Sequence, residues 1–173
     1  MEKETATSKT LLVLRHGKSS WKDLSLDDHD RPLKKRGKRD AERVGAFLRE
    51  QDLIPDLILT SSAKRARGTA KRVCKGGDFK GAVPVERVRR LYHAEPETIV
   101  EVLQGIDSIH NRVMIIGHNP GLEDLLELLR GEWSRMPTAA LAEIRLPLAR
   151  WRDLNPETRG DLRHLWTPDM LAE

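Results

Sequence analysis

The sequence predicts an α/β fold, a three-layer sandwich in which helices cover both faces of a mostly parallel central sheet. Short apolar runs alternate with segments whose apolar residues recur at helical spacing, which is the order of repeated strand and helix units. Hydrophobic residues make up 38% and charged residues 34% of the chain, the balance of a globular protein. The sequence contains no internal repeat and no low-complexity linker.

Six segments are predicted to be strands, because each is a short, mostly apolar run bounded by polar residues or glycine. They span residues 10–14, 56–60, 84–86, 112–117, 141–146 and 161–166. Residues 18–32 are polar and irregular, so a loop with one helical turn is expected there. Such loops often carry functional residues.

Four helices are predicted between these strands. The first spans residues 33–50, the second carries Ala66, Ala70 and Val73 on one side, and the third has its apolar face at residues 99, 102, 103 and 106. The fourth follows residue 117 and carries four leucines between residues 122 and 129. Asn119 is predicted to be its N-cap and Pro120 its first residue, since these residue types favour those positions.

One domain is expected over residues 10–173, preceded by a flexible segment at residues 1–9. A chain of 173 residues can bury one hydrophobic core without disulfides. The polar first ten residues lack the apolar core of a signal peptide, and no later run reaches the length of a membrane span. We therefore expect no membrane partner. A single cysteine, Cys74, excludes an internal disulfide and is compatible with a reducing compartment, so we expect a cytoplasmic protein.

The net charge of +4 comes from a dense mixture of both signs, with basic clusters at residues 34–36, 64–67 and 87–90. Basic clusters can face nucleic acid, an acidic protein or a phosphorylated substrate, or they can be solvated helix faces. Nucleic acid is not the expected partner.

Three predicted strands end in polar residues that suit one kind of ligand. Arg15 and His16 follow the first strand, Arg65 lies in the loop after the second, and His118 follows the fourth. In a mostly parallel sheet, the carboxyl ends of the strands lie at one edge, where ligands bind. Two arginines and two histidines at this edge match the oxygens and negative charge of a phosphoryl group.

His16 is predicted to be the nucleophile of that pocket. A neutral imidazole can attack phosphorus in line and form a phosphohistidine, which water or a second acceptor then resolves. We therefore expect a neutral His16, whereas His118 is expected to be protonated in order to hold a phosphoryl oxygen.

Other phosphate and metal chemistries do not fit the sequence. Gly17, Lys18 and Ser19 resemble the end of a P-loop, but the required earlier glycine position is Leu12. Cys74 lacks the arginine loop of a cysteine phosphatase and is predicted to be a small buried hydrophobe. The remaining histidines have no ligand spacing, so no metal and no cofactor is predicted.

Together these segments resemble the histidine phosphatase superfamily, which has the phosphoglycerate-mutase-like fold, and most closely its small SixA-type phosphohistidine phosphatases. The resemblance covers the chain from about residue 11 to the last strand. It depends on the motifs LRHGKSSW at residues 14–21, DHDRPLKKRG at 28–37, SSAKRARGT at 61–69, LYHA at 91–94 and GHNPG at 117–121.

The resemblance implies that His16 is phosphorylated and that Arg15, Arg65 and His118 complete the phosphate pocket. It also implies a shallow site and a phosphohistidine-containing protein as substrate, with inorganic phosphate as product. Many close relatives have alanine where this chain has Gly17, the residue usual in mutases and small-molecule phosphatases. Relatives that cleave oxygen esters use an acidic proton donor, for which Glu95 is the nearest candidate in the sequence.

Two alternatives remain open at this stage. One is a phosphomonoesterase or mutase acting on a small phosphorylated metabolite, which needs a general acid for an alkoxide leaving group. The other is a non-catalytic module that binds phosphorylated or nucleic-acid ligands through its basic clusters.

Overall fold

A computed structural model describes residues 8–171 and contains one six-stranded mixed sheet. The strand order is β3-β2-β4-β1-β5-β6. The first four strands in this order run parallel, and β5 and β6 are antiparallel to their neighbours at one side of the sheet. The strands are β1 (Lys9–Arg15), β2 (Leu57–Ser61), β3 (Val85–Val88), β4 (Arg112–Gly117), β5 (Leu141–Leu146) and β6 (Asp161–Trp166).

Four α-helices cover the two faces of the sheet. They are α1 (Lys35–Glu50), α2 (Lys64–Gly76), α3 (Pro96–Gln104) and α4 (Gly121–Arg130). Helices α1 and α2 pack over one hydrophobic core, and α3 and α4 pack over the other. Four short 3₁₀ turns lie at Asp28–Asp30, Arg89–Leu91, Trp151–Asp153 and Pro168–Leu171. The three-layer α/β architecture predicted from the sequence is confirmed.

Strand β1 illustrates why the parallel strands are apolar throughout. Leu11 and Val13 point into the core under α3 and α4, whereas Leu12 and Leu14 point into the core under α1 and α2. All four side chains are fully buried. A strand that is covered on both faces is therefore a continuous apolar run in the sequence, and polar side chains follow where the strand ends.

The start of α4 differs from the prediction. The helix begins at Gly121, and Pro120 is the flanking residue, with φ −79° and ψ −6°. Asn119 is not the N-cap: its side-chain Nδ2 donates a hydrogen bond to the carbonyl oxygen of Met136 at 2.8 Å. The Asn119 side chain thus binds the loop after α4, although local helix propensity predicts that it caps the start of the helix.

The structure confirms the prediction for Cys74 and corrects the boundary of the N-terminal segment. Cys74 is buried in the core under α1 and α2, and burial raises the pKa of its thiol. The flexible segment predicted at residues 1–9 is wrong for Lys9, which belongs to β1 and is buried, with its Nζ donating to the carbonyl oxygen of Ser108 at 2.7 Å. Residues 1–7 lie outside the described residues. Within residues 8–171, none of the helices combines the length and the apolar character that crossing a membrane requires.

Candidate active site

The four residues predicted to bind a phosphoryl group line one pocket at the carboxyl ends of the parallel strands. Arg15 ends β1 and His16 follows it, His118 follows β4, and Arg65 lies in the first turn of α2 after β2. The order β2-β4-β1 makes these three strand ends neighbours. The pocket has a volume of about 250 Å³.

His16 is held with one ring nitrogen free to act as a nucleophile. Its side chain is only 6% exposed, and Nδ1 lies 2.7 Å from the carbonyl oxygen of Gly17. Because a carbonyl oxygen only accepts, Nδ1 carries the proton and Nε2 keeps its lone pair. Burial lowers the pKa of His16 to about 4, and the nearby guanidinium groups of Arg65 and Arg15 act in the same direction. The ring is therefore neutral at pH 7, as the sequence-based mechanism requires.

His118 is held in the opposite tautomer by Ser61. The side chain is 5% exposed, and Nε2 lies 2.7 Å from Ser61 Oγ. The Ala63 N–H donates to this hydroxyl oxygen at 3.2 Å, so the hydroxyl hydrogen is available for Nε2 of His118. The proton of the neutral ring then resides on Nδ1, which is buried and has no hydrogen-bond partner among residues 8–171.

The expected charge on His118 is corrected by its surroundings. Burial, followed by the charges of His16 and Arg65, lowers the pKa of His118 far below its usual range. The ring is therefore neutral at pH 7 in this structure, and it offers an N–H donor without carrying a positive charge.

Arg15 and Arg65 are anchored through their terminal nitrogens. Arg15 Nη1 donates to the carbonyl oxygen of Met136 at 3.1 Å, and Arg65 Nη1 and Nη2 both donate to Asp28. The Nε–H group of each arginine is buried and has no partner within the part of the chain that the structure describes. Such buried donors cost free energy unless a ligand or water satisfies them.

Asp28 is a pocket residue that the sequence-based site did not include. Its carboxylate accepts hydrogen bonds from Arg65 at 2.9 Å, Tyr92 at 2.6 Å, His93 at 3.0 Å and Arg31 at 3.0 Å. Partial burial by itself raises the pKa of Asp28, but these hydrogen bonds outweigh it and hold the pKa well below its usual range. Asp28 is therefore an anion that fixes cations, and it has no proton to donate at neutral pH.

Sequence separation explains why Asp28 escaped the prediction. It lies in the short 3₁₀ turn of an irregular loop, and its partners Arg65 and Tyr92 are 37 and 64 residues away in sequence. The sequence motif that contains Asp28 and Arg31 supported the resemblance to the family, but it did not indicate that the Asp28 carboxylate binds the arginines of the pocket.

One wall of the pocket consists of an arginine stacked on an aromatic ring. The Arg31 guanidinium carbon lies 3.6 Å from the centre of the Trp21 ring, and Arg31 Nη1 donates to Ser19 Oγ at 2.7 Å. Arg31 is buried, whereas the Trp21 ring is largely exposed at the mouth of the pocket. The polar loop predicted to carry function thus supplies one side of the site.

Gly17 is required by a close backbone contact. A Cβ atom at this position would lie 2.7 Å from the carbonyl oxygen of Gly37 in α1. The Gly17 N–H also donates to Thr69 Oγ1 at 3.0 Å, which ties the loop after His16 to α2. The glycine noted in the sequence is explained here by packing against α1.

Glu95 does not line the pocket that contains His16. Its side chain is exposed at the start of α3, where it lines a neighbouring cavity of about 480 Å³. His93 and Asn119 line both spaces. The structure therefore brings together Arg15, His16, Arg65 and His118, and it leaves Glu95 beside them but outside.

Comparison with known proteins identifies the family. Residues 11–95 match the model of the histidine phosphatase superfamily, branch 1. An uncharacterised chloroplastic protein of Arabidopsis thaliana is 37% identical over 145 residues, which are 80% of this chain and 66% of that protein. An uncharacterised protein of Mycobacterium tuberculosis is 32% identical over 154 residues, 83% of this chain and 92% of the relative. The chain belongs to the histidine phosphatase superfamily.

Solved structures and a mutase relative extend the comparison. A protein from Agrobacterium tumefaciens, provisionally assigned as the phosphohistidine phosphatase SixA, has a TM-score of 0.78 and 28% identity, covering 92% of this chain and 98% of its own. The protein histidine phosphatase SixA in complex with tungstate has the same fold, with a TM-score of 0.76 and 23% identity, covering 94% and 99%. A 2,3-bisphosphoglycerate-dependent phosphoglycerate mutase of M. tuberculosis is 35% identical over 109 residues, 62% of this chain and 42% of the mutase.

Proposed function

We propose that this protein is a phosphatase that acts through a phosphorylated His16 and removes phosphoryl groups from phosphohistidine on a protein. The observation that carries the proposal is a neutral, buried His16 in one pocket with three buried donors that lack partners. These donors are Arg15 Nε, Arg65 Nε and His118 Nδ1. They suit a group with several oxygens and negative charge.

In the first step, Nε2 of His16 attacks phosphorus and the bond to the leaving atom breaks. The guanidinium groups of Arg15 and Arg65 and the N–H of His118 stabilise the charge on the phosphoryl oxygens as the geometry changes. The hydrogen bond from Nδ1 of His16 to Gly17 stabilises the positive charge that develops on the ring.

In the second step, water attacks the phosphohistidine and releases inorganic phosphate. The electron pair of the nitrogen–phosphorus bond returns to His16, which regenerates the nucleophile. Because His16 is held in one tautomer by a backbone carbonyl, the same nitrogen is available for the next cycle.

The phosphohistidine substrate is supported by the carboxylates near the pocket. Asp28 is held as an anion and Glu95 lies outside the pocket, so neither carboxyl group protonates an alkoxide, and a proton donor at this pocket has to be a side chain of another type. The nitrogen leaving group of phosphohistidine departs with less assistance. The likeness to the Agrobacterium protein assigned as SixA points to the same substrate class.

A small phosphorylated metabolite is the second candidate substrate. The 35% identity to a phosphoglycerate mutase over 109 residues favours it, because that enzyme acts on a phosphate ester. This candidate requires a proton donor for the leaving oxygen. A non-catalytic phosphate-binding module is a third candidate, but it gives no role to the free nucleophilic nitrogen of His16.

The test compares wild type with His16→Ala on a phosphohistidine peptide, a phosphoserine peptide and 3-phosphoglycerate. His164→Ala is the matched control, because His164 is an exposed histidine on β6 outside the pocket. We expect His16→Ala to abolish turnover of the phosphohistidine peptide and the control to leave turnover unchanged. The phosphohistidine intermediate is checked by looking for an acid-labile phosphoryl group on the wild-type enzyme during turnover, which should be absent from His16→Ala.

The outcomes separate the candidates. Selective cleavage of the phosphohistidine peptide by wild type supports the proposal, whereas activity mainly on 3-phosphoglycerate favours the metabolite enzyme. Phosphate binding without turnover, retained in His16→Ala, favours the binding module. Normal turnover by His16→Ala contradicts the mechanism.

A further inference from the structure

His93 lies where the phosphate pocket meets the neighbouring cavity. Its side chain is about half exposed, and it lines both spaces. The ring centre is 5.2 Å from that of His118, which in turn is 5.1 Å from that of His16. An in-line displacement expels the leaving group on the side of phosphorus opposite His16, and because His16 is buried while His93 is half exposed, we expect the leaving group to face the side of the pocket that includes His93.

A carboxylate orients His93. Nε2 of the ring lies 3.0 Å from Asp28 Oδ2, and Asp28 is held as an anion by its other partners. A carboxylate at this distance accepts a hydrogen bond from the Nε2–H group of the ring. This contact leaves Nδ1 as the nitrogen that can exchange a proton with a reacting group.

The backbone of His93 is held in an unusual conformation. Its φ is +49°, a region that costs a non-glycine residue about 1 kcal/mol or more. The hydrogen bond to Asp28 and the contact with the Tyr92 ring, whose centre is 4.2 Å away, hold the imidazole in place. Strain of this kind recurs at functional sites.

The other carboxyl and histidine side chains near the pocket are poor proton donors. Asp28 is ionised, Glu95 lies outside the pocket, and His118 is tied to Ser61 through one nitrogen. Histidine is the side chain whose ordinary charge change falls near neutral pH. Among the residues that line this pocket, His93 combines exposure at the mouth with a carboxylate partner.

Building on the function proposed above, we propose that His93 is the general acid that protonates the leaving group. As Nε2 of His16 bonds to phosphorus, the electron pair of the breaking bond stays on the leaving atom, which takes the proton from Nδ1 of the His93 imidazolium. The electron pair of that N–H bond remains on His93. In the second step, neutral His93 takes a proton from water as the water oxygen bonds to phosphorus, and the nitrogen–phosphorus electron pair returns to His16.

Several carboxylates lie beside His93. Asp28 contacts His93 directly, and residues from the start of α3 and from α4 add carboxylates in the neighbouring cavity. The other neighbours are the cation Arg65 and the neutral rings of Tyr92 and His118. The carboxylates that line this cavity are Glu95, Glu97, Asp124 and Glu127.

The test uses His93→Gln and two aryl phosphates of similar size. The leaving group of p-nitrophenyl phosphate departs as an anion, whereas that of phenyl phosphate needs a proton. We expect His93→Gln to lower kcat/KM for phenyl phosphate by about 100-fold and to change it for p-nitrophenyl phosphate by less than about threefold. His164→Gln is the matched control and leaves both values unchanged.

Two further readouts separate a chemical role from a structural one. The pH profile of kcat on phenyl phosphate changes in His93→Gln, whereas His164→Gln keeps the profile of wild type. His93→Gly, which suits the positive φ, regains activity on phenyl phosphate when free imidazole is added.

An equal loss on both aryl phosphates, or no loss on either, overturns the role of His93. Neither result affects the proposed function, which is decided by His16→Ala on the phosphohistidine peptide. Loss of all turnover in His16→Ala together with equal rates for His93→Gln and wild type leaves the phosphatase in place and removes only the general acid.

Discussion

Replacing Asp28 with asparagine tests the anion that holds the pocket together. The carboxylate accepts hydrogen bonds from Arg65 in α2, from Tyr92 and His93 in the loop before α3, and from Arg31 in its own loop. Asparagine has nearly the same shape, but it offers one acceptor oxygen and turns an N–H₂ group toward donors. The variant therefore removes the negative charge and weakens the side-chain contact of Arg65, whose other contact is to the backbone carbonyl oxygen of residue 28.

The magnitude follows from the number of contacts and their exposure. A hydrogen bond to a charged group is worth about 1.5–3 kcal/mol when it is removed. The Asp28 side chain is 38% exposed, so water replaces part of what is lost, and asparagine keeps one acceptor. We expect Asp28→Asn to lower the free energy of unfolding by about 2–3 kcal/mol, which corresponds to a decrease in Tm of roughly 5–10 °C for a chain of this size.

Urea and thermal unfolding at neutral pH measure this change, with the exposed neighbour Asp27→Asn as the matched control. Because its partners lower the pKa of Asp28 in the folded state, its contribution is fully present above the unfolded value of about 3.9. It is lost only as pH falls through the lower folded pKa, so the difference from wild type stays constant between about pH 7 and pH 5. Equal stability of the Asp28 and Asp27 variants would refute the reasoning.

Two further predictions concern the histidines. Ser61→Ala removes the hydroxyl that fixes the tautomer of His118, so kcat should fall about tenfold or more in steady-state assays with the fold retained; an equal effect of Ser62→Ala would contradict this. For His16, burial lowers the folded pKa to about 4, so the unfolded chain binds its proton first, near pH 6.5. Urea unfolding of wild type should therefore show the free energy of unfolding falling by about 3 kcal/mol between about pH 6.5 and pH 4, and His16→Gln should lack this decrease. The same pH dependence of the free energy of unfolding in both proteins would contradict the prediction.

The core of the site could be predicted from the sequence because of where its residues stand relative to buried strands. Arg15 and His16 end one apolar run, and His118 ends another. A parallel sheet buried on both faces leaves its first polar residues at the carboxyl ends of the strands, and those ends lie side by side. Chain order and periodicity thus predicted the pocket, and the structure brings its four residues together.

Tertiary structure decided which other side chains reach the pocket. Asp28 lies in a loop without periodicity, and its partners come from positions far along the chain. Asn119 has the sequence signature of a helix cap, yet its side chain bonds Met136 in a different loop. The local sequence pattern indicates which residues are buried and which segments are helical. Contacts between irregular loops depend instead on how the helices and strands that the loops connect are packed.

The sequence by itself determined the fold class and the strands that frame the site, and it predicted which four residues meet at their ends, because these follow from apolar runs and the polar residues that end them. Only the tertiary structure showed that burial lowers the pKa of His118, that the Asp28 carboxylate lines the pocket and binds Arg65, and that His93 lines the pocket whereas Glu95 does not. Burial and long-range hydrogen bonds set protonation and proximity, and both are properties of the packed chain.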